Sequence, residues 1–175
     1  MQPETQGRIG KYIVQGELGR GGMGVVYQAM DPLIERQVAI KTVSKNLLDT
    51  HDAQSMMQRF KREAQAAGRL THPNIVAVYE YGETDEMAYI AMEHVAGQGL
   101  DASMRGGRPT GPEQVRAIAL QLLGALQFAH DLGVVHRDIK PGNLIITAEG
   151  RVKVCDFGIA RLESSTMASD LTQAG

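Results

Sequence analysis

The sequence predicts an α+β fold in two parts: a five-stranded antiparallel sheet carrying one helix, then a mainly helical part. Three observations predict it. Short strand-like runs, separated by Gly-rich and Asp-Pro breaks, fill the first part. Residues 53–70 interrupt them with apolar residues at helical spacing: Met56, Phe60, Ala64 and Ala67. A longer helical pattern, opened by Pro112 and closed by Gly133, dominates the second part.

In chain order, residues 1–11 are polar and expected as a flexible leader. Strand-like runs follow at 12–18, 25–30 and 36–43, then the helix over 53–70, which His72-Pro73 ends. Two further strands are expected at 75–81 and 87–93. Gly97 to Gly99 and Gly106-Gly107 flank a short connecting helix. The long helix carries Val115, Ile118, Ala119, Leu122, Leu123 and Leu126 as an apolar stripe, which makes it a core element. Apolar runs at 144–146 and 152–155 flank a turn at Glu149-Gly150. Residues 161–175 are rich in Ser, Thr and Ala and predict a mobile loop.

Composition excludes several classes. The chain has 175 residues and is 43% hydrophobic, enough for one domain with its own core. Eighteen Lys and Arg against 20 Asp and Glu give a formal charge of -2, so no basic excess points to nucleic acid or a membrane surface. One cysteine, Cys155, excludes an intrachain disulfide framework and fits a reducing compartment, and its place on an apolar run makes it a small core residue. No run approaches the roughly 18 apolar residues of a membrane span, and the first ten residues lack a signal-peptide core. His51, His72, His94 and His130 show no metal-ligand spacing.

Three motifs carry chemistry. Gly19-Arg20-Gly21-Gly22-Met23-Gly24 has the GxGxxG spacing of dinucleotide-binding folds. There a helix follows the glycines, whereas Val25-Val26-Tyr27 here predicts a strand. Glycines between two strands can lay backbone N–H groups over phosphates; taken alone, the stretch is also an ordinary hairpin turn. Val38-Ala39-Ile40-Lys41 ends an apolar run with a lysine. Glu63 lies on the apolar face of the 53–70 helix, where a carboxylate is costly without a cation, and Lys41 is its expected partner. The alternative is a rim residue reaching water. In residues 136–143, HRDIKPGN, the acid Asp138 and the amide Asn143 lie five apart with Lys140 between them, and a second acid follows in Asp156-Phe157-Gly158. That set can hold Mg²⁺ and ATP and position a hydroxyl for phosphoryl transfer.

At these residues the chain resembles the protein kinase family, and within it the Ser/Thr branch; HPNIVAVYEYG and GVVHRDIKPGNLII look most like its bacterial members. The resemblance implies a two-lobed fold with an N-lobe over 12–95 and a partial C-lobe over 96–175 that ends in the activation loop. The family pattern goes on to G-T-x-x-Y, A-P-E and several helices; Gly175 falls about where the first would begin, so part of the long helix's stripe is expected to face water.

The resemblance also implies roles. Asp138 would be the catalytic base and Lys140 would neutralise the γ-phosphate, a lysine that favours Ser/Thr acceptors. Asn143 and Asp156 would hold Mg²⁺, and Lys41, paired with Glu63, would hold the α- and β-phosphates under Gly19, Gly21 and Gly24. Leu18, Val26 and Ala39 would roof the adenine pocket and Ile145 floor it, with Met92 as gatekeeper and the Glu93 carbonyl and Val95 amide as hinge groups. His136 and Phe157 would be packing residues that align the two loops, and Arg137 would bind a phosphate on the activation loop. Acceptors there are Ser164, Ser165, Thr166, Ser169 and Thr172, with Thr172 first by position.

The expected function is therefore transfer of the ATP γ-phosphate to protein Ser or Thr hydroxyls, with activation-loop autophosphorylation, in the cytoplasm or the cytoplasmic portion of a longer chain. Leu33 and Ile34 could serve a homodimer surface on the N-lobe. The alternatives are a truncated, non-catalytic nucleotide-binding module and a small-molecule phosphotransferase.

Overall fold

A computed structural model describes residues 7–21, 24–45, 50–105 and 111–157; the side chains of 50–56, 59 and 63 lie outside that description. The first part is an antiparallel sheet of β1 (Arg8–Ile9), β2 (Tyr12–Gly21), β3 (Gly24–Asp31), β4 (Arg36–Ser44), β5 (Val78–Glu83) and β6 (Met87–Glu93), in the order β1-β2-β3-β4-β6-β5. Between β4 and β5 runs α1 (Thr50–Ala67).

Alternation along β4 builds two cores. Val38 and Ile40 meet Tyr12, Ala29, Tyr89 and Ala91 on one face. Ala39 and Val43 meet Phe60 and Ala64 of α1, Ile90 and Met92 on the other. A third core holds Ala67, Leu70, Ile75, Ala125, Ala129, Leu144, Val152, Val154 and Phe157. The end of α1 and the segment after it are thus the seam between the two parts.

The second part has β7 (Gly97–Gly99), α2 (Leu100–Arg105), α3 (Pro112–Asp131), a 3₁₀ turn (Pro141–Asn143), β8 (Leu144–Thr147) and β9 (Val152–Val154). Pro112 opens α3, where its missing N–H would have had no helical partner. Gly133, at φ +72°, lets the chain turn back so that Val134 N–H donates to Ala129 O at 2.9 Å.

Three expectations need correction. The first sheet has six strands among the described residues, because part of the expected leader pairs with Tyr12 and Ile13. The cause is local: Ile9 is buried, and Gly10 turns at φ +56° where a β-carbon would collide with the Tyr89 ring. The strand expected at 75–81 starts at Val78, since Ile75 instead bridges to Val154 in parallel. Gly97–Gly99 is a strand paired to β8, so the second part also holds a three-stranded sheet, β7-β8-β9. Of α3 only Ala125 and Ala129 are fully buried; Ile118, Leu122 and Leu126 pack partly on the third core, while Val115, Leu120 and Leu123 are exposed, as the resemblance led us to expect for part of the stripe.

Candidate active site

Lys41 stands in β4 opposite Val26 of β3 and Ile90 of β6, on the face that carries Ala39 and Val43. Its ammonium donates to Asp156 Oδ1 at 2.8 Å, and only 12% of its side chain is exposed. The structure thus gives Lys41 the partner Asp156; the expected partner Glu63 sits in α1, but its side chain is outside the described residues.

Asp156 and Arg137 both have left-handed backbones, at φ +59° and +66°. Such conformations cost non-glycine residues about 1–3 kcal/mol and persist where the surroundings impose them. The surroundings are visible. His136 is 1% exposed; its Nδ1 accepts the Asp138 N–H at 3.2 Å, so Nε2 carries the proton and donates to Cys155 O at 2.8 Å. Burial pushes the imidazole pKa below its ordinary value, which keeps this neutral tautomer. The His136 and Phe157 rings lie 4.6 Å apart, and Cys155 N–H donates to Asn143 O at 3.0 Å. The two loops are thereby clamped to each other. Cys155 itself is a thiol in the core's margin, its pKa pushed up to about 12 by burial.

The second clamp is inside the HRDIKPGN loop. Buried Asn143 donates Nδ2 to both Asp138 O, at 2.8 Å, and Asp138 Oδ2, at 2.9 Å. The Lys140 ammonium meets the same Oδ2 at 2.8 Å. Lys140 first, and Asn143 after it, hold the Asp138 carboxyl below its ordinary pKa, so it is ionised at neutral pH. Asp138, Lys140, Asn143, Asp156 and Lys41 are thus joined through two loops and one strand.

The donor chemistry fits a Mg²⁺-nucleotide. Because Asn143 spends its NH₂ on Asp138, its amide oxygen is left as the acceptor for a cation. With Asp156 that makes an oxygen-only pair, and no cluster of three or more His, Cys, Asp or Glu exists among the described residues. Mg²⁺ commonly takes one or two protein oxygens and completes its octahedron with phosphate and water.

The glycines divide into two kinds. Gly24 has φ +148°, and a β-carbon there would strike the Thr42 carbonyl. Gly19 and Gly21 face open space and need no special backbone. We therefore expect Gly24→Ala to lower stability by roughly 2–3 kcal/mol. Gly21→Ala should leave the melting temperature unchanged and weaken ATP binding instead. Thermal denaturation beside ATP titration separates the two; equal loss of stability in both variants would refute the division.

Of the residues expected around an adenine, Ala39 and Met92 belong to the α1-facing core, and Val26 and Val95, with Cys155 of the second loop, pack against it. Leu18 is half exposed on β2, and Ile145 lies on β8 opposite Lys153. Sequence reasoning missed Lys153, Asn74 and Gln121. Asn74 donates to Val152 O at 2.8 Å and to Gln121 Oε1 at 2.9 Å, so the chain leaving α1 is pinned to α3 and β9. The only signal for it was the HPN triplet itself.

The protein kinase domain family matches residues 12–173. A probable serine/threonine-protein kinase of Streptomyces coelicolor is 46% identical over 156 residues, covering 87% of this chain and 23% of that protein. The serine/threonine-protein kinase PrkC of Bacillus subtilis is 43% identical over 157 residues, covering 90% of this chain and 24% of that protein. The chain therefore spans about a quarter of the length of these relatives. Among solved structures, the PknI kinase domain of Mycobacterium tuberculosis superposes with a TM-score of 0.73 at 33% identity, over 91% of this chain and 64% of that one. A structure described as the apo form of PpkA-294 superposes with a TM-score of 0.81 at 26% identity, over 91% and 63%. The fold, the clamped loops and these likenesses agree, and the chain belongs to the protein kinase family, in its bacterial serine/threonine branch.

Proposed function

We propose that the chain binds Mg-ATP between its two parts, divided near residues 95 and 96, and transfers the γ-phosphate to Ser or Thr hydroxyls of proteins. The observation that carries this reading is that three separate stretches of chain are joined: Lys41 to Asp156, Lys140 and Asn143 to Asp138, and Cys155 N–H to Asn143 O. ATP supplies the phosphoryl group, and Mg²⁺ neutralises charge on its phosphates.

The chain's own residues do the rest. Leu18, Val26 and Ala39 above and Ile145 below enclose the adenine, beside Met92; the Glu93 carbonyl and Val95 N–H orient it. Gly19 and Gly21 keep open the space a phosphate needs. Lys41, with Glu63 as its further partner, steadies the α- and β-phosphates. Asn143 and Asp156 hold the metal. Asp138, ionised by its contact with Lys140, accepts the hydroxyl proton's hydrogen bond and aims the oxygen in line. Arg137 is exposed beside it and can receive a phosphate from Ser164, Ser165, Thr166, Ser169 or Thr172, all of which lie outside the described residues.

Leu33 and Ile34 are strongly exposed at the β3–β4 turn and are offered as the contact of a homodimer. Among the described residues no helix is long and apolar enough to cross a membrane. The cytoplasm, where ATP and a reduced Cys155 coexist, is the compartment this reading requires.

The test is intact mass of the purified chain after incubation with Mg-ATP. Added phosphates mapping to Ser164–Thr172 are expected. ATP that raises the melting temperature without adding mass would instead make the chain a nucleotide-binding module.

A further inference from the structure

Lys153 is a charged residue where none is expected. All three residues of β9 are buried, including Lys153, which faces Ile145 across the hairpin. Its ammonium lies 2.7 Å from Glu93 Oε1 and 2.8 Å from Oε2, and it also donates to the Ile75 carbonyl at 3.4 Å. Glu93 ends β6 at the hinge, and Oε2 also accepts the Ala77 N–H at 3.2 Å while its own N–H donates to Ala77 O at 2.8 Å. Residues 74–76 are in turn laced to β9, with Val154 N–H on Asn74 O at 2.8 Å and Val76 N–H on Val154 O at 2.9 Å. One closed network therefore joins the hinge, the segment after α1 and the strand that runs directly into Asp156.

We propose that Glu93 and Lys153 are positioning residues for phosphoryl transfer, their ion pair setting the distance between the hinge that takes the adenine and the Asp156 that takes the metal. The proposal rests on the kinase reading above. Its logic is geometric. In the kinase reading the Glu93 carbonyl takes the adenine; its side chain grips Lys153, which stands just before Cys155 and Asp156 in the chain. A buried ion pair adds little net stability over a well-packed apolar pair, but it fixes one arrangement, because either charge loses its partner if the strands slide. Adenosine alone needs only the hinge. Mg-ATP needs the hinge and Asp156 together, at the right separation, so it alone should sense the strut.

The experiment is the double variant Glu93→Gln/Lys153→Met, in the full chain, with its melting temperature taken first. The introduced glutamine keeps an acceptor for the Ala77 N–H, and the introduced methionine fills the volume of the lysine stem. Affinities for Mg-ATP and for adenosine are measured by competition against a fluorescent ATP analogue. We expect Mg-ATP affinity to fall about tenfold, with adenosine affinity unchanged within about twofold. Equal affinities in variant and wild type, or parallel loss of both ligands, would overturn the proposal. A wild type that binds no ATP would overturn the kinase reading and this inference with it. Should the double variant fail to fold, Glu93→Gln alone is read by the same ratio.

Discussion

Asp138→Asn is expected to reduce phosphate transfer by roughly 10²- to 10⁴-fold, the range for losing a positioned general base, while ATP binding and melting temperature stay near wild type. The substitution keeps the shape of the side chain and an oxygen that can still face Lys140 and Asn143. What it removes is the negative charge. In the wild type Lys140 lies on Oδ2 and lowers the carboxyl's pKa, so the group is an acceptor only, and two oxygens with about four lone-pair sites leave capacity for a substrate hydroxyl. An amide presents an NH₂ on one side and is a far weaker base. The measurement is the rate of phosphate incorporation, by intact mass, beside an ATP titration. An unchanged rate would remove Asp138 from the mechanism; a large drop in melting temperature would show that its bonds to Asn143 and Lys140 serve the fold instead.

Asp156→Asn should produce the second-largest effect, and of a different kind. Asp156 holds Lys41 at 2.8 Å and is the carboxylate proposed to hold the metal. The variant should still bind ATP weakly in the absence of Mg²⁺, but adding Mg²⁺ should no longer raise affinity, because an uncharged amide is a poor ligand for a hard divalent cation. Transfer should fall below detection. The stability loss should be modest, about 1 kcal/mol or less, since Asp156 is a third exposed and Asn can still accept from Lys41. Isothermal titration with ATP, with and without Mg²⁺, decides the matter. Undiminished enhancement by Mg²⁺ would assign the metal to other groups.

The candidate site was legible to the extent that its chemistry demands residue types at short spacing. Asp138, Lys140 and Asn143 sit within six residues because one tight loop must present them together, and a 3₁₀ turn over Pro141–Asn143 does so. His136 and Phe157 were expected as packing residues, and the ring contact and backbone bonds that join their loops are what such residues make. Other features were not legible. Val152-Lys153-Val154 has the alternation of a half-buried strand, which would send the lysine to solvent; it points inward only because Glu93, 60 residues earlier, supplies the countercharge. Likewise Ile9 stands among polar residues and glycines in the sequence, and it becomes a strand residue only because it packs in the core with Tyr12 and Tyr89.

By itself the sequence determined the fold class and the order of the principal strands and helices, and its motifs pointed to the family, since periodicity and motif spacing are local and each obeys backbone geometry directly. Tertiary structure alone decided that Lys41 rests on Asp156, 115 residues away, that Lys153 is buried against Glu93, and that Ile9 packs with Tyr12 and Tyr89. The physical reason is common to all three: a charge or an apolar face has several acceptable partners in sequence, and only packing in space selects which one removes it from water or leaves it there.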